Sequence, residues 1–171
     1  PVPDRSRWED LGALIYTGGT TGVSKGAMLT HANLSSVVQI FRAWFPDLED
    51  GKAHIVGTYP IFHSAGYVVS QDFIIWSGWT STIIPRPEPG ILLETLKKYK
   101  PDFLPGVASI FVGLLANPEF RNMDLSFIKG FFTGAAPIAA DTVQDLKKLT
   151  GKDVYDNYGM TENIAFATGM P

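Results

Sequence analysis

The sequence predicts an α/β protein: a mainly parallel sheet of about five strands with helices on both faces, preceded by a β-hairpin. Three observations lead there. Five short apolar runs, at His54–Tyr59, Ser81–Ile84, Asp102–Gly106, Gly130–Gly134 and Asp153–Asn157, alternate with helix-patterned segments. Strands separated by helices are joined by crossovers, which makes neighbouring strands parallel. Ahead of them the stretch "YTGGTTGVSKGAMLTH", Tyr16 to His31, sits between two further strand-like runs.

Each element has its own signal. Ala13–Tyr16 and Gly26–Leu29 flank the glycine-rich stretch and read as an antiparallel pair. Thr30 is a candidate N-cap. After it Leu34, Val37, Val38, Phe41, Trp44 and Phe45 recur at helical spacing until Pro46. "AGYVVSQDFIIW" follows the first sheet strand as a helix, and "ILLETLKKYK" follows the second, which Pro85 closes. "SIFVGLLA" and "AADTVQDLKKLT" are the helices after the third and fourth strands. The latter carries acid early and lysines late, as its dipole favours. Residues 1–171 read as one domain, with hairpin and helix in 10–46 and the β/α units in 53–171.

Composition narrows the function classes. The chain is 45% hydrophobic and 18% charged with a net charge of −3, so nothing in it suits binding to nucleic acid. It has no cysteine, which rules out disulfides and thiolate metal sites and suits a reducing compartment. No apolar run reaches the roughly 20 residues of a membrane-spanning helix. A soluble, cytoplasmic chain is expected. The first residue is not Met, and the start "PVPDRSRWED" and end "ATGMP" read as a segment cut from something longer.

In a parallel sheet, ligands bind outside the carboxyl ends of the strands. Those ends here carry "PIFHSAG", "TGAAP" and "NYGMTE". In the glycine-rich loop, Gly18, Gly19 and Gly22 let backbone N–H groups approach phosphate oxygens. Thr17, Thr20, Thr21 and Ser24 add hydroxyls, and Lys25 adds a mobile positive charge. Neither G-x-x-x-x-G-K-[ST] nor G-x-G-x-x-G matches, and from composition a flexible surface hairpin reads equally well. Thr161 and Glu162 offer a phosphate contact and a Mg²⁺ contact, though such a pair commonly opens a turn. "TGAAP" would admit a flat ring, or serve only as a helix entry with Pro137 in the first turn. His63, between Phe62 and a small-residue turn, is a catalyst or a satisfied polar residue. His31 and His54 lack metal-ligand spacing and read as structural.

Taken together, these segments resemble the adenylate-forming superfamily, the acyl-CoA synthetases and their relatives. Tyr16–Gly26 is similar to the family's Y-T-S-G-T-T-G-x-P-K-G, with Gly18 for Ser and Ser24 for Pro. "YPIFHSAG" resembles P-x-F-H-x-x-G, "TGAAP" resembles G-[GA]-A-P, and "YGMTE" resembles Y-G-x-T-E, all in the family's order. The Gly18 variant with "KGAMLTH" looks most like long-chain fatty acid–CoA ligases. One departure is "VASIF", where Ala108 and Ser109 stand for the family's Pro and Thr.

The resemblance implies adenylation of a carboxylate by ATP, then transfer of the acyl group to coenzyme A. It implies that Thr17, Gly18, Gly19, Thr20, Thr21, Gly22 and Lys25 hold the terminal phosphates. Gly134, Ala135, Ala136, Tyr158 and Gly159 would take the adenine side. Thr161 would bind the α-phosphate, Glu162 the Mg²⁺, and His63 would lie near the acyl carboxylate. The helix "YVVSQDFIIW" would line an acyl tunnel. The family's ribose-binding aspartate, hinge and carboxy-terminal domain lie downstream of Y-G-x-T-E. The expected partners are therefore a fatty acid or other carboxylate and the remainder of the ligase, and the chain alone is expected to be catalytically incomplete. Two other readings stand beside this: a nucleotide-binding or scaffold module that never ligates, and a folded piece that binds nothing. Exposed sheet edges would favour self-association.

Overall fold

The computed structural model describes residues 5–18, 22–46 and 48–170. Strands β1 (Leu11–Thr17) and β2 (Lys25–Thr30) form the antiparallel hairpin, with Leu14 opposite Met28 and Thr17 opposite Lys25. Thr30 ends β2 and caps helix α1 (His31–Ala43). Its hydroxyl accepts from the Asn33 N–H at 3.2 Å, while Asn33 Oδ1 accepts from the Thr30 N–H at 3.0 Å. This reciprocal box satisfies two N–H groups that the helix itself leaves without acceptors. The helix stops at Ala43, ahead of Pro46, and Trp44 and Phe45 pack from the turn that follows.

The main sheet contains β3 (His54–Gly57), β4 (Thr80–Ile83), β5 (Phe103–Pro105), β6 (Gly130–Thr133), β7 (Val154–Tyr158) and β8 (Thr168–Met170). Their spatial order is β4-β3-β5-β6-β7-β8, parallel except for β8, which runs antiparallel to β7. Among the described residues the sheet thus has six strands, and the run expected to be its last is followed by one more. β8 has too little apolar pattern to announce itself; long-range pairing with β7 makes it a strand.

Alternation along the strands sorts side chains onto two faces. Ile55, Phe103, Phe132 and Tyr155 join one cluster with Val38 and Phe41 of α1, Val68, Val69 and Phe73. Their neighbours Val56, Leu104, Phe131 and Val154 join a second cluster. That face is covered by α4 (Pro89–Tyr99), α5 (Ala108–Leu115), α6 (Pro118–Asn122) and α7 (Ala140–Thr150). Phe41 sits edge-on to Phe73, Phe132 and Phe166, with ring centroids 4.7, 4.9 and 5.8 Å away.

The expected helix 65–76 is three pieces: α2 (Ser64–Tyr67), a π-helical turn (Val68–Asp72) and α3 (Phe73–Ser77). Gly78, at φ 66°, ends it. Among the described residues no helix is long and apolar enough to cross a membrane.

Candidate functional site

The chain lays β4 on one side of β3 and β5, β6 and β7 on the other. The reversal opens a crevice at the carboxyl ends of β3 and β5, where ligands of open α/β sheets bind. A cleft of about 620 Å³ lies there, lined by Tyr59, Pro60 and Val107 from those two strand ends. Two hydrogen bonds brace its floor: Thr58 Oγ1 donates to the Pro105 carbonyl at 2.7 Å, and Tyr59 OH donates to the Gly106 carbonyl at 3.1 Å. Complete burial pushes the Tyr59 hydroxyl well above the usual tyrosine range, so it serves as a donor that stays protonated.

The hairpin packs against the turn Thr161–Asn163 and so brings its base to the cleft. Thr17, Gly18 and Lys25 line the cleft together with His63, Gly134, Ala135, Gly159, Thr161 and Glu162. Lys25 has no ion-pair partner among the described residues. Gly22, Ala136 and Tyr158 are not in the lining; Gly22 has a left-handed φ of 85°, and Tyr158 is 63% exposed at the end of β7. Gly19, Thr20 and Thr21 lie outside the described residues.

His63 caps α2. Its Nδ1 accepts from the Ala65 N–H at 3.1 Å, which puts the proton of the neutral ring on Nε2. Its partner in the motif, Gly66, is there for space. A Cβ at that position would stand 2.0 Å from the Pro60 carbonyl oxygen, so only glycine lets the turn close. Phe62, 86% exposed, stands at the mouth.

Strain concentrates on the opposite wall. Ala135, Ile164 and Ala165 all have left-handed backbone, with φ 69°, 59° and 65°, and all three line the cleft. A β-branched residue in that region costs energy and persists only where its surroundings hold it. Asn157 does the holding: its Nδ2 donates to the Ala165 carbonyl at 2.7 Å. The Ala165 N–H donates to the Met160 carbonyl at 2.8 Å, and the Ala167 N–H to the Tyr158 carbonyl at 2.9 Å.

Several cleft residues were not read from the sequence. Asn157, Ser64, Val107 and Phe166 line it, and Ser64 Oγ is buried without a hydrogen-bond partner among the described residues. Asn157 and Ser64 sit inside motifs that were recognised; Phe166 reaches the cleft only because the strained loop folds back. Val107 supplies the wall where the chain departs from the family, while Ala108 and Ser109 lie outside the lining. Phe41, Val68, Val69 and Phe132 are buried and give the cleft an apolar lining, and Thr17, Lys25, His63, Thr161 and Glu162 bring polar groups to it. Such a lining offers a ligand apolar contact on one side and hydrogen-bonding or charged groups on the other. Among the described residues no group of three His, Cys, Asp or Glu could hold a metal alone. Glu162, one carboxylate at the rim, suits a cation that arrives with other oxygen ligands.

The sequence matches the model of the family described as AMP-binding enzyme over residues 1–171. It is 35% identical over 161 residues to a long-chain-fatty-acid–CoA ligase of Bacillus subtilis (strain 168), covering 94% of this chain and 29% of that protein. The chain therefore spans less than a third of the length of the curated relatives it matches. Among solved structures, ATP-bound MatB from Rhodopseudomonas palustris superposes with a TM-score of 0.81 at 31% identity, over 96% of this chain and 32% of that one. The anthranilate CoA ligase AuaEII in complex with anthranoyl-AMP shares the fold, with a TM-score of 0.84 at 23% identity over 97% of this chain and 32% of that one. A family match from end to end, four motifs gathered on one cleft and a shared fold have one reading: the chain belongs to the AMP-binding, adenylate-forming enzyme family.

Proposed function

We propose that this chain forms the nucleotide and acyl half-site of an ATP-dependent fatty acid–CoA ligase. The observation that carries the reading is convergence. The base of the phosphate loop, His63, Gly134–Ala135 and Gly159–Glu162 come from distant parts of the sequence and meet on one cleft with an apolar interior. In the reaction, a carboxylate oxygen attacks the α-phosphorus of ATP, the bond to the β-phosphate bridging oxygen breaks, and pyrophosphate leaves. The thiol of coenzyme A then attacks the acyl carbonyl, and AMP leaves.

In this reading Lys25 and Thr17, with Gly18, Gly19, Thr20, Thr21 and Gly22, hold the β- and γ-phosphates. Lys25 has no ion-pair partner of its own among the described residues, so its charge is available to a phosphate. Thr161 donates to the α-phosphate. Gly134, Ala135 and Ala136 give a side-chain-poor wall to the adenine, with Gly159 and Tyr158 beside it. His63 Nε2–H faces the acyl carboxylate, and Phe41, Val68, Val69 and Phe132 surround the acyl chain. Mg²⁺, when bound, would neutralise charge on the phosphate oxygens, and Glu162 is the residue that would hold it. Catalysis is positioning plus electrostatic stabilisation of the phosphoryl transition state.

The test is an amide-resolved NMR titration of the chain with Mg·ATP, beside Lys25→Ala. Shifts confined to Thr17–Lys25, Gly134–Ala136 and Tyr158–Glu162, and at least about tenfold weaker binding in the variant, are expected from loss of a charge-assisted phosphate contact. A well-dispersed spectrum indifferent to ATP would favour a scaffold instead. Robust acyl-CoA formation by these 171 residues would overturn the half-site part of the reading.

A further inference from the structure

A second cavity, of about 630 Å³, shares no described residue with the cleft. It opens between the amino-terminal segment, α1 and the π-helical turn. Trp8, Leu34, Tyr67, Ile75 and Trp76 give it apolar walls, and Asp72 stands among them. Trp8, Ile75 and Trp76 are 62%, 75% and 49% exposed, so the apolar surface continues out of the cavity onto the molecule's face. Three large apolar side chains exposed around one opening form a joined patch rather than scattered single residues, the kind of surface that marks an interaction site.

Asp72 is the unusual group. It is the last residue of the π-helical turn Val68–Asp72, an irregularity that recurs at functional sites. The carboxylate is half-buried and has no hydrogen-bond donor and no ion-pair partner among the described residues. Arg7 and His31 also face the cavity, yet neither pairs with it. A desolvated carboxylate without a partner is costly, and its natural complement is a cation.

We propose that this groove docks an arginine side chain presented by a polypeptide segment outside these 171 residues, its guanidinium paired with Asp72 and stacked on an indole wall. Arginine fits better than lysine. The guanidinium is planar and weakly hydrated, binds a carboxylate through two N–H groups and stacks on Trp. A polypeptide fits better than a small cation, because Ile75 and Trp8 extend the apolar surface past the carboxylate and call for flanking apolar residues. The relatives also carry most of their polypeptide outside the stretch matched by this chain. The same π-helical turn sends Val68 and Val69 into the cleft and Asp72 into the groove, so the docked segment would brace the acyl wall from behind.

The test uses the 171-residue chain and a defined probe, the peptide acetyl-Leu-Arg-Leu-amide, followed by amide shifts and by the indole resonances of Trp8 and Trp76. Weak binding, with Kd of order millimolar, is expected, with shifts confined to Tyr67–Trp76, Trp8 and the first turns of α1. Replacing arginine by uncharged citrulline, or Asp72→Asn in the protein, is expected to weaken binding at least about fivefold. If the variant does not give a native amide spectrum, the citrulline comparison on the unaltered chain decides alone. Absence of shifts, shifts in the cleft instead, or equal binding of the citrulline peptide would overturn the proposal. Equal binding of a lysine peptide would overturn the arginine assignment.

Discussion

At Gly159 the backbone of the strained loop leaves no room for a side chain. A Cβ there would lie 2.1 Å from the Ala165 carbonyl oxygen and 2.7 Å from the Phe166 nitrogen, both main-chain atoms that cannot swing aside. Gly159→Ala therefore forces apart the loop that carries Thr161 and Glu162. The expected cost is about 1–3 kcal/mol, read as a lowered urea midpoint; an unchanged midpoint would mean the loop is looser than its hydrogen bonds imply. Asp72 makes a prediction of the opposite sign. Burial pushes its carboxyl up to about 6, above the ordinary 3.8, so the folded state binds the proton more tightly than the unfolded chain does. Stability contributed by the protonated form is complete below about pH 4 and is lost as pH rises through 6. Asp72→Asn removes that loss. Because the group is half-exposed, solvent screening reduces the effect to about 1 kcal/mol of added stability at pH 7.5. The advantage should vanish in unfolding measurements below pH 4.

At the scale of elements, the caps show what holds the hairpin to the rest. Thr30 is at once the last residue of β2 and the N-cap of α1, so one side chain fixes the angle between strand and helix. Thr30→Ala is expected to cost about 1 kcal/mol in urea unfolding, and Thr30→Ser to restore most of it. This cap was legible because its signal is local: a hydroxyl before a helical period. So were the strands flanked by helices, since burial on both faces demands continuous apolar runs. The π-helical turn was not legible. One extra residue in a turn leaves "AGYVVSQDFIIW" looking like a single helix, and only the packing of Val68, Val69 and Asp72 on different sides reveals it. β8 was missed because three residues acquire strand character only by pairing with β7. Helix α6 did leave a sign, Asn117 accepting from the Glu119 N–H at 2.8 Å with Pro118 at the first helical position. In the cleft, the motif residues could be placed at strand ends from pattern alone. That Phe166 and Val107 complete it depends on a loop held in left-handed backbone and on strand order, neither of which spacing encodes.

For the whole molecule, the two sheets differ in how completely they are covered. The six-stranded sheet has helices on both faces, whereas the β1–β2 hairpin is covered on one. Alternation turns Ala13, Ile15, Ala27 and Leu29 toward α1 and the core, and leaves Leu14, Tyr16 and Met28 outward. Leu14 and Met28 are cross-strand partners, 46% and 72% exposed, and Tyr16 beside them is 66% exposed. A two-stranded sheet is marginal by itself and presents backbone donors and acceptors along its edges. An apolar face joined to such edges pairs readily with its own kind. β4, which among the described residues pairs with β3 alone, offers another edge at the far end of the main sheet. The chain is therefore expected to self-associate as concentration rises, through the hairpin face rather than through the cleft. Light scattering coupled to size exclusion should show mass increasing across a concentration series, and Met28→Lys should return it toward the monomer by placing a charge opposite Leu14. Mg·ATP binding should be untouched by that change, because Met28 lies on the face of β2 turned away from the cleft lined by Lys25 and Thr17. A strict monomer at every concentration would show that the hairpin face, though apolar, is too small or too curved to pair. Association that survives Met28→Lys would move the contact to the β4 edge, where Ile83→Pro is the corresponding probe, because the N–H groups of Thr80 and Ile84 on either side of it in the alternation point to β3 and that of Ile83 points away.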